Sequence, residues 1–387
     1  MNIFGLGKVS DFLGDNIVYR NLNPADNRLP SFDIIAEEIR LPNKIIPRKS
    51  EVNYAKVIIA LLEHAHALNH SNSKIKKLIF IGDTQLLDVT AFTHICVEGG
   101  WEGIAFIGSE NLKPPSVEIK DISNRQKVYF SNRWAALDAE KSQSIFEKSF
   151  PKFCEKQHIV PNEETALVID LDKTALGARG RNGHVIDRAR VQAVQNTIAH
   201  LLGDNFDLHA FQHGYDLLNQ PEYHHFTADN QDYLCYICLI IQSGFYTLDE
   251  VVEKVKSRRI NSFDEFIDLV EKSKQKLPHG LISVHEEVYQ LNRAGDPTPF
   301  KAFRYNEYKT TIGKMGCNKE DQPIGKMIDE EIMITREVRD LAKEWKQKGA
   351  LVFGLSDKPD EATFPPEDMA AIGYQPLHRT ETHILGE

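Results

Sequence analysis

The sequence predicts an α/β protein, with a doubly wound, parallel sheet carrying helices on both faces and a second, mainly helical region. Three observations lead there. First, short and wholly apolar runs recur at Lys77-Leu-Ile-Phe-Ile-Gly82, Gly103-Ile-Ala-Phe-Ile-Gly108, Ala166-Leu-Val-Ile169 and Ala350-Leu-Val-Phe-Gly354, the pattern of strands buried on both faces. Second, stretches with three-to-four apolar spacing lie between them, each able to lay one face on a sheet. Third, residues 205–330 interleave aromatics, histidines and charges and offer no strand tipped by a carboxylate pair.

Composition bounds the function. The chain has 387 residues, 41% of them hydrophobic, enough for a core domain plus a second one. Its formal charge is −10 and it has no long basic run, which argues against general nucleic-acid binding. No apolar stretch reaches the length of a membrane span, and Met1 to Lys8 lacks the charged-then-apolar pattern of a signal peptide. Five cysteines, an odd number, without a secretory signal suggest a reducing, cytoplasmic setting. Cys235 and Cys238 form a C-x-x-C inside the greasy run Tyr233 to Ile241. With no second pair, they are expected as buried core thiols rather than a zinc site.

In chain order, residues 1–40 show turn signals at Asn23-Pro24 and Leu29-Pro30 and no chemistry. The run Lys44-Ile-Ile-Pro47 precedes Arg48-Lys49-Ser50. Val57, Ile58, Leu61, Leu62 and Ala65 then give a helix with Ser50 as a plausible N-cap. The strand at 77–82 runs into Asp83, with Asp88 five residues on. A helix over about 85–98 stops at Gly99-Gly100, and the strand at 103–108 completes a right-handed parallel crossover. Lys127 to Phe130 could extend the sheet. Residues 134–160 start helical and turn polar, and Pro161 to Thr165 lead into the next strand.

A glycine- and arginine-rich loop follows, Gly177-Ala-Arg-Gly-Arg-Asn-Gly183. It either wraps over a site and offers Arg179 or Arg181 to a phosphate or is an exposed connection. Val191, Val194, Ile198 and Leu201 define a helix ended by Gly203, and further helices are expected near 231–242, 247–258 and 262–276. Gly295 to Lys301 and Phe303-Arg304-Tyr305 are either substrate contacts or structural loop. His213, His224 and His225 show no metal spacing. Val338, Leu341, Ala342 and Trp345 mark a helix stopped by Gly349, before a strand ending in Leu355-Ser356-Asp357-Lys358-Pro359.

The chain is organised around the strand at 166–169. It ends in Asp170 and Asp172, and on an extended backbone residues i and i+2 point to the same side. Two carboxylates therefore meet at the carboxyl end of a strand, where open α/β sheets place ligands. Close like charges raise one pKa or demand a cation. Such a pair suits a magnesium site with one carboxylate as nucleophile and the other as acid/base.

Asp170-x-Asp172-x-Thr174 after an apolar strand resembles the first motif of the haloacid dehalogenase superfamily, mostly phosphatases. Phe80-Ile-Gly-Asp83 with Asp88 resembles the fourth motif, whose acidic pair completes the magnesium site there; the alternative is Asp83 as a helix cap. Lys49, at the start of the helix before that strand, stands where the third motif has its lysine, with Arg48 and Lys44 as rivals. Ser356 at a strand end resembles the second motif, whose hydroxyl binds a phosphoryl oxygen. Lys358 is a second candidate cation. The motifs run lysine, Gly-Asp, nucleophile, serine; joining residue 387 to residue 1 and starting at 166 restores the family's usual order. A circular permutation is therefore implied, which proteins tolerate where the ends lie close together.

The resemblance implies a Rossmann-like core in two parts, 1–203 and 331–387, with a mainly helical inserted cap at 204–330. It implies a magnesium-dependent phosphatase acting on a small phosphorylated metabolite. Asp170 would be the nucleophile, forming an aspartyl phosphate, and Asp172 the acid/base. Asp170, Asp172 (through its carbonyl) and Asp83 would hold the metal, with Asp88 supporting. Lys49 and Ser356 would hold the phosphoryl group, and Thr174, Arg179, Arg181 and Lys358 would lie at the substrate. Dehalogenases and P-type pumps lack an acid/base aspartate at the place of Asp172. The alternatives are a phosphotransferase or phosphomutase of the same superfamily, or a non-catalytic binding protein on this fold.

Overall fold

The structure, a computed structural model, describes residues 1–42, 45–69, 73–138, 149–319 and 321–387. The chain forms two compact units. One comprises Met1–Asp187, Thr311–Thr363 and Gly373–Glu387, the other Arg188–Thr310 and Phe364–Ile372. These limits differ from the cap expected at 204–330. Residues 188–203 and 364–372 fall in the second unit, and 311–330 in the first.

The first unit is built on two sheets. Its strands are β1 (Asn2–Gly7), β2 (Ile17–Val18), β3 (Lys77–Gly82), β4 (Glu102–Gly108), β5 (Val117–Ser123), β6 (Gln126–Ser131), β7 (Thr165–Asp170), β8 (Ile334–Thr335), β9 (Leu351–Leu355) and β10 (Thr382–Gly386). The large sheet has the order β2-β9-β7-β3-β4-β6-β5. Every neighbouring pair in it is parallel except β5 with β6. It is therefore the α/β, mainly parallel sheet that the apolar runs predict, of a kind compatible with a Rossmann-like fold.

Both faces are covered, which is why these strands are apolar throughout. Leu78 and Phe80 of β3, Val168 of β7 and Phe353 of β9 share a core with Tyr54, Ile58 and Leu61 of helix Val52–Asn69 and with Phe92 and Ile95 of helix Asp88–Gly99. On the alternate positions Phe106 and Tyr129 stack with Trp134 and Phe150 close by. Gly100 ends its helix at φ 66°, a left-handed stop that suits glycine.

The small sheet has the order β1-β10-β8. Its β1 and β10 run antiparallel, with Asn2 opposite Gly386.

Some local expectations shift. The first long helix starts at Val52, so Ser50 stands in the preceding turn rather than at the cap. The helix after β3 starts at Asp88 with Leu87 at its cap position, so Asp83 does not cap it. Of the stretch expected to begin helical at 134–160, a 3-10 turn at Trp134–Leu137 and a helix at Phe150–Lys156 are described; 139–148 lie outside the described residues.

The second unit is helical among its described residues, including Leu208–Leu218, Gln231–Gln242, Leu248–Lys256, Phe263–Glu271 and His279–Arg293. Side-chain caps start several of these. Asp207, Asn230 and Ser262 each accept from a backbone N–H, and Thr247 with Glu250 forms a reciprocal capping box. Cys235 and Cys238 are buried in its core, and burial pushes both thiols up, Cys238 to about 12. Phe303 is buried too, and Arg304 is ion-paired with Asp232 and Glu307, so these two side chains are committed to the unit's own interior, while Tyr305 is exposed. Among the described residues, no helix is long and apolar enough to cross a membrane.

Candidate functional site

The site forms where the carboxyl ends of adjacent parallel strands line up. Asp170 of β7 is opposite Leu355 of β9, Ile169 is opposite Ile81 of β3, and Leu355 is also opposite Val18 of β2. The residues just beyond these ends are thereby delivered to one edge. They are Tyr19 after β2, Ser356 after β9, Leu171 and Asp172 after β7, and Asp83 after β3.

Lys49 is the centre of charge. Its Nζ stands 2.6 Å from Asp170 Oδ1, 2.6 Å from Asp88 Oδ1 and 3.8 Å from Asp357 Oδ2, with its side chain 4% exposed. Burial lowers the ammonium, but Asp170, Asp88 and Asp357 outweigh that and hold it well above its ordinary value, so it remains a cation. Asp170 is pushed well above the carboxylate range by burial; Lys49 opposes this, and Asp88 and Asp83 add to it. Asp83 is raised to about 6 by burial and by Asp88, against Arg179. Asp88 also loses water through burial, yet Lys49 and Thr84 overcome that and keep it below the usual range.

Asp88 owes its place to glycine. Its Oδ2 accepts from the N–H of Asp83 at 2.9 Å, the N–H of Thr84 at 2.8 Å and the Thr84 hydroxyl at 2.9 Å. A Cβ on Gly82 would lie 2.6 Å from the Asp88 carboxyl carbon, so the carboxylate folds back over the strand end only because residue 82 has no side chain.

On the other side of β7, the Ser356 N–H donates to Val18 O at 3.0 Å, and Ser356 Oγ accepts from the Lys358 N–H at 3.1 Å. Lys358 Nζ lies 3.8 Å from Asp172 Oδ2. The two lysines thus face different aspartates, Lys49 on Asp170 and Lys358 on Asp172. Lys44, the other rival, lies outside the described residues. Thr174 is fully buried; its carbonyl accepts from the Thr335 hydroxyl, and its own hydroxyl has no hydrogen-bond partner among the described residues.

The loop after β7 is fastened at several points. Gly177 N–H donates to Met333 O at 2.8 Å, Arg179 N–H to Lys173 O at 2.7 Å, and Glu110 N–H to Arg179 O at 2.9 Å. Arg179 Nε donates to Asp83 Oδ2. Arg181 turns elsewhere. Both its terminal nitrogens donate to Glu337, at 2.7 and 2.9 Å, and its Nε donates to Glu110. With its side chain 1% exposed, Arg181 belongs to the scaffold.

No protein-family model, curated protein or solved structure matches this chain. Asp83, Asp88 and Asp170 each offer a carboxylate oxygen, all within 4.8 Å of one another. This is a hard-oxygen donor set of the type magnesium takes. Asp88 has its Oδ2 occupied by three donors and its Oδ1 against Lys49. Asp83 and Asp170 would then be the better placed to hold such an ion directly, while Asp88 orients the loop and the lysine.

Sequence reasoning missed several contributors. Arg20 Nη1 donates to Pro47 O at 3.0 Å and so holds the segment leading to Lys49. The Tyr19 hydroxyl meets His378 Nδ1 at 3.1 Å, and His378 Nε2 meets Asp15 at 3.2 Å, bracing the end of β2. Asp357 is the third carboxylate near Lys49. These residues belong to no spacing pattern, and only the fold brings them together.

Proposed function

We propose that the chain is a magnesium-dependent phosphatase of the haloacid dehalogenase-like type, acting on a small phosphorylated metabolite through an aspartyl phosphate. The carrying observation is that four motifs scattered over more than 300 residues meet at one sheet edge, with Lys49 2.6 Å from both Asp170 and Asp88. Strands β9, β7 and β3, which precede the serine, nucleophile and Gly-Asp motifs, are neighbours in the sheet. The pairing of Asn2 with Gly386 fits the permuted order, since the two segments which that order would join lie side by side. The helical unit Arg188–Thr310 follows the nucleophile motif, where an inserted cap is expected.

The residues divide the work as follows. Asp170 Oδ2 attacks phosphorus while the bond from phosphorus to the leaving oxygen breaks, and Asp172 gives that oxygen its proton. Asp172, now a carboxylate, takes a proton from water. The water oxygen attacks the same phosphorus, the bond to Asp170 breaks, and inorganic phosphate leaves. Lys49 holds Asp170 Oδ1 and balances charge as it shifts toward phosphoryl oxygen. Ser356 offers a hydroxyl to that group, and Lys358 stands behind Asp172. Asp83, Asp170 and the Asp172 carbonyl would hold the magnesium ion. When bound it supplies charge neutralisation between phosphoryl oxygens and carboxylates.

The test is phosphate release from a panel of phosphorylated metabolites, with magnesium and with chelator, beside Asp170→Asn and Lys49→Ala. Turnover that requires the metal and both residues is expected. Transfer of phosphate to an added hydroxyl compound in place of release would make the enzyme a phosphotransferase or mutase. Metal binding without turnover of any ester would favour a binding protein.

A further inference from the structure

Arg179 is held differently from Lys49 and Arg181. Its main chain is fixed on three sides. Its N–H donates to Lys173 O at 2.7 Å, and its carbonyl accepts from the Glu110 N–H at 2.9 Å and from the Trp134 indole at 3.1 Å. The next residue, Gly180, sits at φ +82° so tightly against Glu110 that a Cβ there would lie 1.9 Å from the Glu110 carbonyl oxygen. The loop therefore presents Arg179 from a rigid base, and only the side chain is free to move.

That side chain is 38% exposed, and its ion pair is with Asp83 Oδ2. Lys49, by contrast, is closed in at 4% between two carboxylates, and Arg181 is gripped by Glu337 and Glu110. The same loop thus locks one arginine into the scaffold and hangs the other on one of the three carboxylates that form the metal-competent cluster. A guanidinium donating to Asp83 and a divalent cation ligated by it compete for the same negative charge. Among the described residues, the three carboxylates of the cluster, when ionised, are ion-paired with two cations, Lys49 and Arg179. Replacing Arg179 by a dication neutralises the cluster and leaves one positive charge free on a fixed stalk.

We propose that Arg179 is the resident counter-ion of Asp83, that a divalent cation displaces it, and that the released guanidinium then takes a phosphoryl oxyanion. Metal binding thereby precedes and promotes anion binding. The inference rests on the metal-site reading above and adds to it an order of events. A guanidinium suits the second role because its planar donors match a phosphate edge.

The experiment is calorimetric titration of the full chain with Mn2+, and with inorganic phosphate in the presence and absence of Mn2+, for wild type, Arg179→Gln and Arg179→Lys. With the competing cation removed, R179Q should bind Mn2+ about fivefold more tightly, the scale expected of a partly exposed ion pair. It should also lose most of the metal-dependent gain in phosphate affinity. R179K, which keeps a charge without the fork, should fall between the two and guards against a fold defect. If the wild type binds Mn2+ and R179Q binds it no more tightly, or more weakly, this inference is overturned while the metal site stands. If the wild type binds no Mn2+, the metal reading fails and the inference fails with it.

Discussion

A single lysine decides how much negative charge the site can carry. Lys49 neutralises Asp170 and Asp88 at 2.6 Å each in near-complete burial. Removing it leaves Asp170 and Asp88 buried without their cation, and breaking a buried ion pair typically costs about 3–5 kcal/mol. Lys49→Ala should therefore lower the urea midpoint of unfolding as well as turnover, the latter by about 100- to 1,000-fold. Lys358 faces Asp172, whose side chain is 26% exposed, across 3.8 Å. Lys358→Ala should then change stability far less, and a variant pair with equal losses would contradict the division of the two lysines between the two aspartates. The cysteines supply a separate check at this scale. Cys317 is exposed and the other four are buried, so iodoacetamide should label one thiol in the native chain and all five after unfolding. Labelling of Cys235 or Cys238 in the native chain would contradict their place in the helical core.

Glycines set the geometry of two elements, the strand end before Asp83 and the loop after β7. Gly82→Ala drives a methyl into the Asp88 carboxylate, and overpacking of this kind costs about 1–3 kcal/mol. Melting of G82A should show that loss, together with weaker metal binding as Asp88 is pushed off Thr84. Legibility in the sequence follows the same physics. Strands β3, β4, β7 and β9 were legible because burial on both faces makes them continuously apolar, and Asp170, Asp172, Asp83 and Ser356 were legible because each follows such a strand. The two-residue strands β2 and β8 carry no periodicity. Asp83 was open to a capping role because Gly-Asp before a helix is a common local signal, and only the fold shows its carboxylate turned to Arg179 instead. Arg20 and Tyr19 were invisible for another reason. Tyr19 finds His378 a sequence separation of 359 away, and no local rule reaches that far.

On the scale of the folded unit, Glu331 gathers segments distant in the chain. Its carboxylate accepts from the Gly316 N–H at 3.0 Å, the Asn318 N–H at 3.2 Å, the Thr382 hydroxyl at 2.9 Å and the His383 N–H at 3.1 Å, with His383 Nδ1 at 2.8 Å. Burial opposes its charge, but these donors outweigh burial and hold it below its ordinary 4.5. A carboxyl lowered in the native state stabilises the fold fully above that ordinary value, and the contribution is lost as pH falls through the native value. Glu331→Gln should therefore cost about 2 kcal/mol at neutral pH. Its urea curve should converge on that of the wild type as pH falls well below the ordinary glutamate range. A gap that stayed constant across that range would show that the charge of Glu331 is not what joins these segments.

The antiparallel pairing of β1 with β10 also has a consequence in time. Asn2 and its ladder partner Gly386 lie 384 positions apart, so a growing chain makes β1 long before β10. At roughly 5–20 residues per second, β1 waits about 20–80 s for that partner. β2 waits nearly as long for β9, its neighbour in the large sheet. Throughout that interval the nascent chain carries strand segments with unmatched donors and acceptors, the kind of edge that recruits other chains. The short length of β2 and the polar start of β1 limit that hazard. The large sheet is complete only once β9 has joined β2 and β7, so the setting of Asp170 and Lys49 is finished only after residue 355 has been made.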